Sequence, residues 1–147
     1  MIEVGSYPDS LSRTIAATAA LMGGLGVLIG AFGAHGLEGY LASAALDTEL
    51  IAKRLGQFDV GARYHLVHAV TLLTVANLHA ISRKARVAAF ALLTAGILLF
   101  SGSLYLLVIT NTPWLGAITP LGGVAWIIAW FTMAGSALAN RKSVGLE

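Results

Sequence analysis

The sequence predicts an all-α integral membrane bundle of four transmembrane helices in up-down-up-down order. Hydrophobic residues make up 57% of the chain and charged residues 11%, against roughly 45–50% and 25% in soluble domains. Mean hydropathy is +0.81, and no residue from Val87 to Asn140 is charged. A soluble domain of this length needs charged groups over its surface, so the composition favours a protein that lies within the bilayer.

Four apolar stretches predict the positions of the helices. We expect helices over residues 14–36, 64–82, 87–110 and 120–139, each close to the ~20 residues that cross a bilayer. The first apolar run is longer than the core of a signal peptide, about 7–15 residues, which favours a retained helix. The membrane domain should span residues 13–140, after a disordered or loosely ordered segment, residues 1–12, and before a tail, residues 141–147.

The start of the fourth helix depends on one proline. Thr119 followed by Pro120 is typical of an N-cap and a first helical residue. The alternative is a longer helix that is kinked at Pro120.

A charged connector, residues 37–63, joins the first two predicted crossings. Ile51, Leu55, Phe58 and Ala62 recur in it at helical spacing, and the charged residues mostly avoid that face. This pattern predicts a short interfacial amphipathic helix that leads into the second crossing. The alternative is a solvated linker, because the stripe has only four members.

Lysine and arginine are unequally divided between the two sides of the predicted bundle. Six lie beside the termini or in the turn between the second and third helices, and three lie in the connector. This excess predicts a multi-pass membrane protein with both termini in the cytoplasm. The six are Arg13, Arg83, Lys84, Arg86, Arg141 and Lys142, and the three are Lys53, Arg54 and Arg63.

Small residues predict how the helices pack, because lipid tails remove the hydrophobic drive between helices and close approach replaces it. Gly26 and Gly30 form a GxxxG motif, which favours packing within the chain over dimerisation. The expected packing positions are Gly23, Gly26, Gly30, Gly33, Gly102, Pro120, Gly122 and Gly123.

Four sequence motifs resemble those of a known family. They are "GAFGAHGL" (30–37), "YHLVHA" (64–69), "LLFSGSLYLL" (98–107) and "ITPLGGVAWIIAW" (118–130). Together they resemble the YgdD-type family of small bacterial membrane proteins, which has a mitochondrial relative, and the resemblance runs from about Arg13 to Asn140. It implies a four-helix membrane fold and supplies no activity, because that family is uncharacterised. The family usually has histidine at the position of His68 and more often glutamine at that of His65.

Three histidines are predicted at one depth near the outer face. His35 ends the first helix, and His65 and His68 begin the second, so the three are candidate ligands for a metal or haem. The alternative is packing, in which His68 bonds Ser103 or Tyr105 of the third helix. The candidate ligand site or polar clasp comprises His35, Tyr64, His68, Ser101, Ser103 and Tyr105.

The sequence favours a noncatalytic protein. Serine beside histidine suggests hydrolysis, but there is no nucleophile elbow and no Asp or Glu in the four predicted spans to orient the base. No cysteine is present, which excludes thiol catalysis, and no basic stripe indicates nucleic acid. We expect a structural, lipid-binding or partner-binding module with no cofactor. Its partners would be the lipid bilayer, a second copy or another membrane protein. The alternatives are a histidine-based metal, haem or small-molecule site, and a small oligomeric transporter or channel.

Overall fold

The computed structural model describes residues 9–44 and 46–141, and in these residues every regular element is helical. Within them, three helical stretches are long and apolar enough to cross a membrane: Ser10–His35, Arg83–Thr110 and Pro113–Asn140. The elements are α1 (Ser10–His35), α2 (Leu37–Ser43), α3 (Thr48–Ala76), α4 (Arg83–Gly96), a π-helical turn (Ile97–Ser101), α5 (Gly102–Thr110), a 3-10 helix (Pro113–Ala117) and α6 (Thr119–Arg141). The predicted all-α class is confirmed.

Helix α1 packs mainly against α3, and two glycines set their register. A Cβ on Gly26 would come within 2.8 Å of the Leu66 side chain, and one on Gly33 within 2.8 Å of the Phe58 ring. The later residue of α1 therefore contacts the earlier residue of α3, so the two helices are antiparallel.

Helix α4 packs against α6, while the π turn and α5 also contact α3. The larger apolar cluster joins α1, α3, α4, the π turn and α6, so the four longest helical rods share one core. Its buried members are Ile15, Ala19, Leu72, Val75, Ala76, Ile81, Ala85, Ala89, Leu93, Ile97, Trp126, Ala129 and Met133.

The helix predicted over residues 64–82 has different bounds in the structure, where it is α3, Thr48–Ala76. It begins earlier because the Asp47 side chain accepts a hydrogen bond from the Leu50 backbone N–H at 2.8 Å and caps the helix there. It ends earlier because Ser82 caps the next helix instead, accepting from the Ala85 N–H at 3.2 Å. The basic turn predicted at residues 83–86 is therefore the first turn of α4.

The connector is helical over most of its length. Leu37 and Leu41 of α2 are buried beside Phe58 of α3, together with Leu107 and Val108 of α5. The rest of the predicted stripe also faces protein: Ala62 is buried, and Ile51 and Leu55 are partly buried. The predicted stripe is thus helical, but it faces protein and belongs to the long helix α3 rather than to a separate short helix.

The remaining predicted bounds differ by a few residues. Helix α1 begins at Ser10, inside the segment predicted as loosely ordered, α4 begins at Arg83 rather than at residue 87, and α6 begins at Thr119. The predictions for residues 1–8 and 142–147 lie outside the described residues.

Candidate functional site

Two side chains of α3 stack on one tryptophan of α6. The His68 and Trp126 rings have centroids 3.7 Å apart and planes 2° from parallel. Tyr64 lies one turn away and is also nearly parallel to Trp126, at 5.7 Å and 11°. His68 Nδ1 lies 2.8 Å from the Tyr64 carbonyl oxygen, and the Trp126 indole N–H donates to the Leu93 carbonyl at 3.2 Å. The stack thereby joins α3, α4 and α6.

A second contact joins α3 to α5. His65 Nδ1 lies 3.2 Å from the Tyr105 hydroxyl oxygen, and His65 is buried, with 2% of its surface exposed. The structure therefore gives the Tyr105 contact to His65 rather than to His68. Gly61 allows this approach, because a Cβ there would lie 3.1 Å from the Tyr105 ring.

Neither serine of the third apolar stretch forms the hydrogen bond to His68 that the sequence suggested for Ser103. The Ser103 hydroxyl donates to the Phe100 carbonyl at 3.0 Å and lies 2.9 Å from the Thr119 hydroxyl. It thus ties α5 to the start of α6, rather than bonding His68 as predicted. Ser101 is fully buried within the π turn.

His35 lies apart from the other two predicted histidines. It is exposed at the last position of α1, whereas a Cβ on Gly26 of the same helix would lie 3.5 Å from the His65 ring. Nine helical residues correspond to about 13 Å along the axis, so His35 and His65 lie at different depths. The predicted single depth for the three histidines is wrong, because α3 begins well before His65. Among residues 9–44 and 46–141, no three His, Asp or Glu side chains could together hold a metal ion.

The predicted packing glycines fall into two groups. Gly26, Gly33 and Gly122 lie where a Cβ would overlap Leu66, Phe58 and the Phe100 backbone, respectively. Gly23 and Gly30 have open space at their Cβ positions, so packing within this chain does not require glycine there. Gly102 and Gly123 would make only ordinary contacts, and Pro120 lies in the first turn of α6. Gly96 was not among the predicted positions but belongs with the first group, because a Cβ there would overlap the Trp126 indole.

Arg86 joins three helix ends at the side that carries the termini. It is 6% exposed, and its guanidinium donates to the Ser12 hydroxyl and, at 2.8 Å, to the Ala76 carbonyl at the end of α3. Asp9, the N-cap of α1, lies 3.7 Å from Arg86. A hydrogen bond from the Ser12 backbone N–H, with attraction from Arg86 and Arg83, lowers the pKa of the Asp9 carboxyl. Sequence reasoning used Arg86 only as an orientation signal and missed this contact.

Arg54 has a similar position at the opposite end of the molecule. It is 4% exposed and donates twice to the Asn111 side-chain oxygen, at 2.6 and 3.0 Å, and once to that of Gln57, at 2.8 Å. Asn111 ends α5 with a φ of 47°, in the left-handed region that Asn tolerates better than most residues. Arg54 therefore holds the turn between α5 and the 3-10 helix against α3.

A third polar feature of α3 lies on its exposed surface. Arg63 and Asp59 form an ion pair of 2.8 Å, with 68% and 61% of their side-chain surfaces exposed. Both side chains line two grooves on either side of α3, one of about 450 Å³ toward α1 and one of about 540 Å³ toward the π turn, α5 and α6.

The chain is similar to proteins of one known family. A family model described as "Protein of unknown function (DUF423)" matches residues 29–123, which is more than half of the chain. The chain belongs to the DUF423 family. That range contains all three histidines of the sequence prediction, the π turn and both residues of the exposed ion pair. No solved structure matches the chain.

Three relatives extend the match over nearly the full length of this DUF423 protein. The membrane protein YwdK of Bacillus subtilis is 46% identical over 116 residues, 78% of this chain and 87% of the relative. A membrane protein of Haemophilus influenzae is 36% identical over 84% of this chain and 92% of its own. The inner membrane protein YgdD of Escherichia coli is 31% identical over 92% and 98%. The chain is accordingly a membrane protein, and the predicted family is confirmed.

Proposed function

We propose that this DUF423 protein is a noncatalytic module of the bacterial inner membrane with four crossings, whose outer surfaces bind lipid or another membrane protein. One observation carries the proposal. The polar side chains nearest its centre are engaged with each other: His65 with Tyr105, and His68 with Tyr64 and Trp126. Such contacts hold the helices together and engage the Nδ1 atom of each imidazole.

The fourth crossing would be α3, which carries more charge than the three apolar stretches. Its support is the antiparallel contact with α1 between Gly26 and Gly33 and the shared core with α4 and α6. Arg54 lies at one end of α3, and Arg86 of α4 reaches the other. A helix packed among apolar neighbours in this way is expected to cross the bilayer beside them. Its charged residues then lie near one face of the membrane.

Cysteine labelling tests the crossings directly, because the chain has no cysteine of its own. Glu49→Cys in α3 and Lys84→Cys in α4 both replace exposed residues. A membrane-impermeant maleimide should label Glu49→Cys in intact spheroplasts and Lys84→Cys only after lysis. Labelling of both from the same side would contradict the crossing of α3, and the reverse pattern would contradict cytoplasmic termini.

A spectrum tests the noncatalytic proposal against a histidine-based cofactor site. The protein purified in detergent is expected to show no Soret band and no stoichiometric metal. A Soret band that disappears in His68→Phe would instead favour the histidine site.

A further inference from the structure

The exposed ion pair of α3 is unusual for a surface that faces lipid. A lone charge at membrane depth is costly, and the charged residues that occur there are commonly functional. Asp59 and Arg63 lie within the part of α3 that packs beside α1, because Phe58 faces Gly33 and Leu66 faces Gly26. The pair is therefore flanked by helices on both sides and is open in front.

Both grooves beside the pair combine charged residues with apolar walls. The groove toward α1 is lined by Glu38, Asp59 and Arg63, and by Gly30 and apolar residues. Since Gly30 has no neighbour at its Cβ position, this wall is open to a chain lying along it. The groove toward α6 is lined by Lys53 in addition to Asp59 and Arg63, and by Phe100, Leu104 and Thr119 among others.

The charges follow a fixed order along the helix axis. Helix α3 runs from its outer end inward, so Arg63 lies four residues, about 6 Å, deeper than Asp59. Glu38 follows the end of α1 and adds a second carboxylate toward the outer end. In the groove toward α1 the carboxylates thus lie outermost and the guanidinium lies below them, while Lys53 lies at the outer part of the groove toward α6.

We propose that this face of α3 binds one aminophospholipid of the phosphoethanolamine class. The lipid ammonium group meets Asp59 and Glu38, the phosphate meets Arg63, and the acyl chains lie in the two grooves. The order of charges matches the lipid, in which the phosphate is attached to the glycerol and the ammonium lies farther out. This inference rests on the proposed lipid-binding function and on the crossing of α3, and it names the lipid class.

The chemistry distinguishes this occupant from others. An ammonium group donates charge-assisted hydrogen bonds to carboxylates, and a guanidinium donates them to phosphate. A choline head group has no N–H to donate, and a glycerol head group would present neutral hydroxyls, rather than a cation, to the two carboxylates. A second copy of the chain would present the same charges in reversed order only if the copies were antiparallel, which one membrane orientation forbids.

Native mass spectrometry of the full chain in detergent tests the proposal with dioleoyl phosphatidylethanolamine, phosphatidylcholine and phosphatidylglycerol at equal concentrations. We expect one phosphatidylethanolamine to be retained in preference to the other two. Asp59→Asn and Arg63→Gln should each weaken its retention about tenfold, the effect of losing one charge-assisted hydrogen bond. Glu49→Gln changes an exposed residue of the same helix that lines neither groove, and it should leave retention unchanged.

Exchanging the two charged residues gives the variant that best distinguishes the order of the charges from their mere presence. Asp59→Arg combined with Arg63→Asp keeps an ion pair with the same spacing, so helix stability is preserved, but it reverses the order of charges. We expect the doubly substituted protein to melt as the parent does and to lose the preference for phosphatidylethanolamine. An unchanged preference would show that the pair is a structural contact only and would overturn the proposal.

Two outcomes separate this inference from the proposed function. If Glu49→Cys and Lys84→Cys are labelled from opposite sides but the three lipids are retained equally, the crossing of α3 stands and the lipid site is refuted. If both are labelled from the same side, the crossing of α3 fails, and the depth order from which the lipid site was inferred fails with it. A dimer whose mass excludes the lipid would also overturn the site.

Discussion

The imidazole of His68 lies face to face with the indole of Trp126, with 3.7 Å between ring centroids. The stack connects α3 to α6, two helices that are separated in the chain by α4 and α5. It lies beside the π turn, because Phe100 is 4.7 Å from Trp126, centroid to centroid. His68 therefore contributes to the packing of α3 against α6.

Two substitutions of His68 distinguish the stability that its stacked ring provides from the stability that its ring nitrogens provide. His68→Phe keeps a flat ring on Trp126 and should change the free energy of unfolding by less than about 1.5 kcal/mol, as volume-conserving core changes do. His68→Ala leaves a cavity and should cost about 2–4 kcal/mol. Reversible unfolding in mixed micelles measures both. Equal losses in the two variants would mean that the ring nitrogens, rather than the stack, provide the stability.

Two adjacent glycines of α6 form a matched pair. A Cβ on Gly122 would overlap the Phe100 backbone, whereas one on Gly123 would lie 3.8 Å from the Phe100 ring. Gly122→Ala should therefore lower stability by about 1–3 kcal/mol through overpacking. Gly123→Ala should be neutral or stabilising by up to about 1 kcal/mol, because alanine favours the helix. Thermal melting in detergent distinguishes them, and the reverse order would contradict the register of α6.

The buried Arg54 should be far more sensitive than its neighbour Lys53. Arg54→Gln removes the charged donor to Asn111 and should destabilise the protein by about 1.5–3 kcal/mol, the usual contribution of a hydrogen bond to a charged group. Lys53 is exposed, and Lys53→Gln should change stability by less than about 0.5 kcal/mol. Proteolysis in the turn after α5 provides the local measurement. Equal cleavage rates in both variants would show that Arg54 does not hold this turn.

The lowered pKa of Asp9 predicts a dependence on acid. The folded carboxyl keeps its charge to a lower pH than the unfolded one, so its stabilisation is present above the unfolded pKa, about 4. That stabilisation is lost as pH falls through the folded value. Asp9→Asn can still cap α1 but has no charge for Arg86, so it should melt below the parent at pH 6, with the difference shrinking toward pH 3. A difference that does not change over this range would show that the charge contributes nothing.

The sequence predicted the three strongly apolar helices because length and the absence of charge determine them. It placed the start of α3 too late because Asp59 and Arg63 were interpreted as a boundary. An ion pair one turn apart does not interrupt a helix; it stabilises one. Asp47, a capping residue with an amphipathic stripe behind it, was the available signal for the true start.

The polar contacts of the interior could not be assigned from the sequence. His65 and His68 differ by only three positions, and which of them meets Tyr105 depends on the rotation of α3 against α5. Arginine is usually a surface residue, and only the tertiary structure shows that Arg54 and Arg86 are buried. Trp126 was missed because a tryptophan in an apolar stretch is typical of any helix that faces lipid.

The π turn at Ile97–Ser101 makes the structure sensitive to a one-residue deletion in this part of the chain. Gly102 donates its N–H to the Ile97 carbonyl, five residues back, so this turn holds one residue more than an α-helix would. Deleting one residue here would restore an ordinary helix and rotate α5 by about 100° relative to α4. Ser103 would then leave Thr119, and Tyr105 would leave His65. A substitution of Ser103 or Tyr105 alone removes one of these contacts, but a change of length in this turn would remove the contacts of α5 with α3 and with α6 at once.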